Sequence, residues 1–128
     1  MNDKTATIDA LKQRVNRFVK ERDWEGYHSP KNLSMSIAVE AAELMECFQW
    51  LTPEESRTVL KNRKVREEIE DEIADIATYI LDFCLLFDID LSGAVARKIV
   101  KNEKKYPAEL VKGKHHKYTH YQKRRRTV

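Results

Sequence analysis

The chain has 128 residues, enough for one domain with a hydrophobic core. It contains only three glycines and three prolines, so few residues are suited to the tight turns of β-hairpins. No apolar run approaches the roughly 18 residues of a membrane span, and no charged-then-apolar leader opens the chain, so we expect a cytosolic protein without a membrane segment. The net charge of +3 hides an asymmetry, because seven basic residues and one acid follow residue 107 and leave a net negative body with a basic tail.

The first half of the chain shows two long helical patterns. Apolar residues at helical spacing predict a first helix from about Thr7 to Asp23. The segment WEGYHSPKN interrupts this pattern, and Ser29 followed by Pro30 is a helix-start signal, because proline is tolerated at the first helical position. We expect the second helix to continue to about Phe48 or Trp50.

The second half predicts one short and two long helices. Thr52, Pro53 and Glu55 form the pattern of a capping box at the start of the short helix. A longer helix follows from about Lys64 to Phe87, and Asp90 caps a last helix that ends before Pro107. The sequence therefore predicts an all-α protein, a four-helix bundle over residues 1–107 with a basic, partly disordered tail over residues 108–128. Cys47 and Cys84 lie in apolar helical patterns and are predicted to be free thiols.

The second helix is apolar or small around most of its circumference. Such a helix is typical either of the centre of a bundle or of a subunit interface, and the sequence leaves both interpretations open. Glu40 and Glu43 interrupt this apolar surface. The next long helix carries a seam of apolar residues that we expect to be packed: Ile69, Ile73, Ile76, Ile80, Phe83 and Phe87. Glu68, Glu72, Asp75, Tyr79 and Asp82 run beside it, so both acidic lines can face one cleft.

Acids placed three or four residues apart on a helix repel each other, at a cost of about 0.2–0.5 kcal/mol per pair. Partial burial raises this cost, because an unpaired carboxylate loses its hydration. A divalent cation would offset the repulsion, and Mg²⁺ prefers oxygen ligands. The alternative is a set of solvated edge residues paired with lysines. A carboxylate di-iron bundle is disfavoured, since the sole Glu-x-x-His match, at Glu25 and His28, lies in a glycine-containing segment.

The acids also match a family signature. Glu40-Ala-Ala-Glu43, 28 intervening residues and Glu72-Ile-Ala-Asp75 resemble the ExxE…ExxD signature of MazG-like all-α nucleoside triphosphate pyrophosphohydrolases. The blocks ERDWEGYHSPKNL, ELMECFQW, EIADIATYIL and KIVKNEKKYPAEL are similar, in this order, to the dCTP pyrophosphatase branch and span roughly residues 10 to 118. The resemblance implies hydrolysis of a nucleoside triphosphate, such as dCTP or a modified dCTP, to the monophosphate and pyrophosphate.

The resemblance also implies roles for individual residues. Glu40, Glu43, Glu72 and Asp75 would hold Mg²⁺ against the triphosphate. A carboxylate of this cluster would orient or deprotonate the attacking water. We favour Glu43, with Glu40 next, and any of the four can share the role. A tetramer built from dimers is implied as well, and the apolar second helix independently favours a homo-oligomer.

Two further groups are implied to contact the substrate. Lys98, Asn102 and Lys105, followed by Tyr106, resemble the phosphate-contacting element of the family, with Lys105 where related sequences often have arginine. Without the resemblance, this is an ordinary solvated basic face. The candidates for the base and sugar pocket are aromatic or imidazole side chains: Trp24, His28, Phe48, Trp50 and Tyr79. Trp24 and Trp50 can equally pack in the core or an interface, and His28 can equally fix its loop.

The tail leaves a second class of function open. Its lysines and arginines could bind nucleic acid phosphates, which would make the protein a non-catalytic helical interaction protein. The intact set of four acids favours the enzyme, and we do not expect nucleic acid to be a partner. Disorder is the usual state of such a tail, although the part near Lys117 and Tyr118 resembles the family's C-terminus and could fold over a neighbouring site. His115, His116 and His120 lack the other ligands of a zinc site.

Overall fold

The computed structural model describes residues 1–114, and all regular secondary structure in this range is helical. Two short 3₁₀ turns lie at Glu25–Tyr27 and Val59–Lys61. The α-helices in chain order are α1 Ile8–Lys20, α2 Pro30–Glu46, α3 Pro53–Thr58, α4 Arg63–Leu86, α5 Leu91–Lys105 and α6 Ala108–Val111. The all-α prediction is confirmed.

Side-chain caps begin most of these helices, where the sequence signals predicted them. Thr7 and Ser29 accept hydrogen bonds from backbone N–H groups in the first turns of α1 and α2. At α3 the capping box is complete, because the Thr52 hydroxyl accepts from Glu55 N–H at 3.2 Å and the Glu55 carboxylate accepts from Thr52 N–H at 2.8 Å. Asp90 caps α5 through Gly93 N–H. Local chemistry therefore determines where the helices start.

Residues 1–89 form one compact unit in which α1 and α2 both pack against α4. Its buried apolar side chains come from all three helices: Val19, Leu33, Ile69, Leu81 and Cys84. The predicted seam of α4 is only partly packed, since Ile73 is 50% exposed and Phe87 is 40% exposed. Phe87 lies beyond the last residue of α4, and Ile73 lies on a part of the helix that α1 and α2 do not fully cover. Cys47 and Cys84 are free thiols, as predicted.

A second compact unit begins at Asp90. It contains α5 and then α6, which forms in a segment where no helical periodicity was expected. The predicted domain boundary after residue 107 stays a prediction. The histidines and the arginine run assigned to the tail lie outside the described residues, as do Lys117 and Tyr118. None of the helices in residues 1–114 combines the length and the apolar character needed to cross a membrane.

Candidate active site

Three of the four predicted metal ligands meet where α2 packs against α4. Glu40 and Glu43 lie one turn apart on α2, and Glu72 lies on α4. Each residue offers a carboxylate oxygen, and these three oxygens lie within 4.8 Å of one another. Glu40 and Glu72 are half-buried, whereas Glu43 is exposed. The packing of α2 on α4 thus turns two separate sequence motifs into one cluster, which we call the acid cluster.

Asp75 lies one turn after Glu72 and is exposed. Its carboxylate is not part of the group of three whose oxygens lie within 4.8 Å of one another. Its charge nevertheless reaches the acid cluster, because it helps to raise the pKa values of both Glu40 and Glu72. Asp75 also lines the large cavity described below. It therefore stands between the acid cluster and the cavity.

The carboxylates of the acid cluster repel one another. A side-chain hydrogen bond with Glu43, partial burial and the charges of the neighbouring acids raise the pKa of Glu40 from 4.5 to about 7. Burial first, and then the charges of Glu43 and Asp75, raise the pKa of Glu72. Oε2 of Glu72 is buried, and no hydrogen bond joins it to another described residue. None of the ion pairs formed between described residues includes these four acids.

This arrangement fits a hard divalent cation. Such an ion prefers several carboxylate oxygens, and it would provide the positive charge that the described side chains do not. Nearby Cys47 offers no competing thiolate, because burial and the charges of Glu72 and Glu68 raise the pKa of its thiol. The alternative of acids paired with lysines is not what the described residues show.

A cavity of about 640 Å³ lies beside α1 and α4, within residues 1–89. Trp24, His28 and Tyr79 line it, so three of the predicted base and sugar contacts meet in one place. Trp24 packs edge-on against Phe18, with ring centroids 5.8 Å apart. Phe18 and Arg14 also line the cavity. Both were missed as site residues, although their spacing of four on α1 places them on one helix face.

Trp50 and Phe48 do not line this cavity. Trp50 follows the end of α2 and is 87% exposed, so its alternative assignment to the core of the chain is wrong. The alternative assignment to a subunit interface stays open.

His28 and Asp82 form a buried pair in the cavity wall. His28 Nδ1 and Asp82 Oδ2 are 2.5 Å apart, and Asp82 is 1% exposed. The pair connects the segment before α2 to α4, which bears out the expectation that His28 fixes its loop. Asn32 holds the same segment by donating to the Tyr27 carbonyl at 2.9 Å. The sequence predicts Asp82 in an acidic line beside Asp75; it instead lies in the core, where His28, 54 residues away in the sequence, gives its carboxylate a hydrogen-bond partner.

The predicted phosphate contacts all lie on α5, in the second unit. Lys98, Asn102 and Lys105 are exposed, and their spacing of four and three places them along one face of the helix. Their contact with a triphosphate stays a prediction.

Comparison with known proteins identifies the family. The model of the MazG-like family matches residues 35–120. The chain is 34% identical over 113 residues to dCTP pyrophosphatase 1 from Bos taurus, an alignment covering 88% of this chain and 67% of that protein. It is 33% identical over 113 residues to the Homo sapiens protein of the same name, covering 88% and 66%. The chain thus spans about two thirds of the length of these relatives.

A solved structure gives the same result for the fold. The crystal structure of a pyrophosphatase from Archaeoglobus fulgidus matches with a TM-score of 0.74 and 42% identity, covering 84% of this chain and 98% of that one. The match to the family model spans more than half of the chain and includes all four acids of the predicted metal site. The chain therefore belongs to the MazG-like family and is a nucleotide pyrophosphatase.

Proposed function

We propose that this enzyme is a Mg²⁺-dependent nucleoside triphosphate pyrophosphohydrolase that converts dCTP, or a 5-modified dCTP, to the monophosphate and pyrophosphate. Such an enzyme would remove unwanted nucleotides from the cellular pool. The observation that carries the proposal is the acid cluster, whose three carboxylate oxygens lie within 4.8 Å of one another. The curated relatives from cattle and human, which are dCTP pyrophosphatases by name, support the choice of substrate.

In this proposal Glu40, Glu43, Glu72 and Asp75 hold the metal. A bound Mg²⁺ would neutralise phosphate oxygens and lower the pKa of a bound water. Glu72 contributes a buried oxygen that has no hydrogen-bond partner within residues 1–114, which supports its assignment as a ligand. Asp75 extends the negative surface from the acid cluster to the cavity, where the nucleotide would lie.

Glu43 is the best candidate to orient or deprotonate the attacking water. Its side chain is exposed and so can be reached by solvent. Glu40 is half-buried, and in the metal-free structure its pKa is raised to about 7, the first cause being its side-chain hydrogen bond with Glu43. A carboxylate that solvent reaches, as Glu43 is, can take a proton from an attacking water.

The triphosphate would be bound by α5. Lys98 and Lys105 supply positive charge, and Asn102 supplies an amide donor on the same face of the helix. Lysine acts as a point charge, so Lys105 would not form the bidentate phosphate contact that an arginine can make.

The base and sugar would occupy the large cavity. Trp24 and Tyr79 line the cavity and offer aromatic faces on which a base can stack. Aromatic walls that hold a single pyrimidine ring would crowd a purine. Rejection of the 2′-hydroxyl follows if the wall beside the sugar offers it no partner, because a buried unpaired hydroxyl costs about 1–3 kcal/mol. This penalty corresponds to roughly 5- to 150-fold, which gives a preference rather than absolute selectivity.

The proposal includes a homo-oligomer, a dimer or a tetramer. Three large apolar residues of α2 are exposed in the single chain, namely Met35 at 57%, Val39 at 56% and Met45 at 70%. Exposed apolar surface of this kind is typical of an interface between subunits. Trp50 would then be covered by a neighbouring subunit or contribute to its pocket. Light scattering should report two or four chains, and a monomer at high concentration would refute the oligomer.

The direct test is pyrophosphate release from dCTP, CTP, dTTP, dUTP, dATP and dGTP, each with and without Mg²⁺. We expect release only with the metal and the highest kcat/KM for dCTP. A purine at the top of the ranking would overturn the substrate, and full turnover in a chelator would overturn the metal. The nucleic-acid-binding alternative predicts no pyrophosphate release from any of the six.

A further inference from the structure

The pair of His28 and Asp82 has a property that fixing a loop does not require. Asp82 is 1% exposed, yet its second oxygen, Oδ1, is buried and makes no hydrogen bond to any of the residues that the structure describes. A buried carboxylate that is only half-satisfied destabilises the fold relative to an aliphatic side chain of similar size. Its neighbours Leu81 and Cys84 are buried apolar residues, so an aliphatic side chain would suit position 82. The carboxylate must therefore contribute something other than packing.

The pair controls which nitrogen of His28 carries the proton. Asp82 binds Nδ1, and an ionised carboxylate accepts hydrogen bonds but cannot donate one. In the neutral imidazole the proton therefore lies on Nδ1, and Nε2 is left with a lone pair that accepts. Nε2 makes no hydrogen bond to any described residue, and it is not among the buried unpartnered atoms. This nitrogen is consequently open to a ligand, and His28 lines the cavity.

We propose that Asp82 is a positioning residue that fixes the tautomer of His28, so that Nε2 accepts a hydrogen bond from the 4-amino group of a cytosine base in the cavity. This inference rests on the proposed function for its ligand, a pyrimidine nucleotide. Uracil and thymine present a carbonyl oxygen at the same ring position. Two acceptors would then face each other, and neither would be satisfied.

The position of Asp82 along α4 agrees with this assignment. Asp75 and Asp82 line the same cavity and are seven residues apart, or about 10 Å along the helix axis. A nucleotide whose phosphates lie at the Asp75 end, beside the acid cluster, extends its base towards the other end. Trp24 and Tyr79 stack on any base with little discrimination, so base choice needs a polar group such as Nε2.

The first experiment measures binding of dCMP and dUMP to the full-length protein by calorimetry at about pH 8. Wild type should bind dCMP about 10- to 100-fold more tightly than dUMP, because with dUMP the uracil carbonyl oxygen and Nε2 of His28, both acceptors, would face each other unpaired. In Asp82→Asn the amide can donate to Nδ1 as well as accept, so the tautomer is no longer fixed. We expect the preference to fall to within about threefold.

The matched control is Glu70→Gln, which makes the same acid-to-amide change on the same helix. Glu70 is exposed and pairs with Arg66 at 2.7 Å, away from the cavity lining, so the preference should be retained. His28→Phe keeps an aromatic ring without nitrogens and should also lose the preference. The double variant with both Asp82→Asn and His28→Phe should be no less selective than His28→Phe alone, since both changes remove the same contact between Nε2 and the base. With dCTP, the effect of Asp82→Asn should fall on KM rather than on kcat.

Nitrogen NMR tests the tautomer without relying on a variant of Asp82. In wild type at about pH 8 we expect Nδ1 of His28 to be protonated and Nε2 to be unprotonated, with the signal assigned by its loss in His28→Phe. A proton on Nε2 would overturn the inference even if Asp82→Asn failed to fold. Failure here is distinguishable from failure of the proposed function. Equal use of dCTP and dUTP overturns the inference and leaves the hydrolase, whereas dCMP preference without any pyrophosphate release overturns the hydrolase alone.

Discussion

Helix α4 carries two carboxylates that differ in the groups they face. Glu72 and Asp82 each have one buried oxygen that makes no hydrogen bond to any residue in the described range 1–114. Asp82 has an imidazole nitrogen 2.5 Å from its other oxygen. Glu72 faces more acids, whose charges add to burial and raise its pKa. The comparison teaches that a chain can give a buried acid a hydrogen-bonding partner, which fixes a side chain, or surround an acid with other acids, which prepares a site for an external cation.

The largest expected effect concerns the acid cluster. Glu43→Ala should lower kcat for dCTP by about a thousandfold, because it removes both a metal ligand and the favoured general base. The helical fold should survive, and the metal-free protein should be at least as stable as wild type, since one source of repulsion is gone. Turnover and circular dichroism measure the two outcomes. Glu67→Ala, at an exposed acid paired with Arg63, is the control. Turnover near that of wild type would remove Glu43 from the site.

The second prediction concerns Asp82, the buried acid that is paired with a histidine. His28→Ala leaves the Asp82 charge buried without its partner, so the free energy of unfolding should fall by about 3–5 kcal/mol in urea titrations. Arg66→Ala breaks the exposed pair with Glu70 and should cost at most about 1 kcal/mol. Equal losses in the two variants would mean that burial makes no difference between these pairs.

The third prediction separates the two sites by their response to metal. At a concentration of about 100 times its Kd, Mg²⁺ should stabilise the folded protein by about 2.7 kcal/mol, because it binds the native cluster and not the unfolded chain. Thermal unfolding should show this stabilisation in wild type and in Asp82→Asn, but not in Glu43→Gln. Stabilisation that persists in Glu43→Gln would place the metal elsewhere.

The smallest expected effect is the pH dependence of the metal-free protein. The pKa of Glu40 is raised from 4.5 to about 7, so between these values the folded state binds more protons than the unfolded state. Stability contributed by Glu40 is therefore highest below about pH 4.5 and declines as pH rises towards 7. Unfolding free energies across this window should decline less in Glu43→Gln, because the glutamine amide can donate a hydrogen bond to the ionised Glu40 and the charge of Glu43 is removed. Identical slopes in the two proteins would contradict this origin of the shift.

Local sequence determined the helices and much of the acid cluster. Thr52 and Asp90 cap helices as predicted, because capping depends on residues within one turn. Glu40 and Glu43 share a helix face by their spacing alone, and the family signature linked them to Glu72 and Asp75. The same local patterns predicted the free thiols and the absence of strands from the described residues.

Only the tertiary structure decided which acidic side chains have a hydrogen-bonding partner and which face other acids. No local pattern connects His28 to Asp82, since 54 residues separate them and only the packing of the loop against α4 brings them together. Helical periodicity grouped Asp82 with Asp75 and Ile73 with Ile69, yet Asp82 is buried and Ile73 is 50% exposed. Periodicity assigns a residue to a face of its own helix, whereas burial depends on which other elements cover that face. For this reason the sequence determined the helices, and the tertiary structure determined the burial and the hydrogen-bond partners of their acidic side chains.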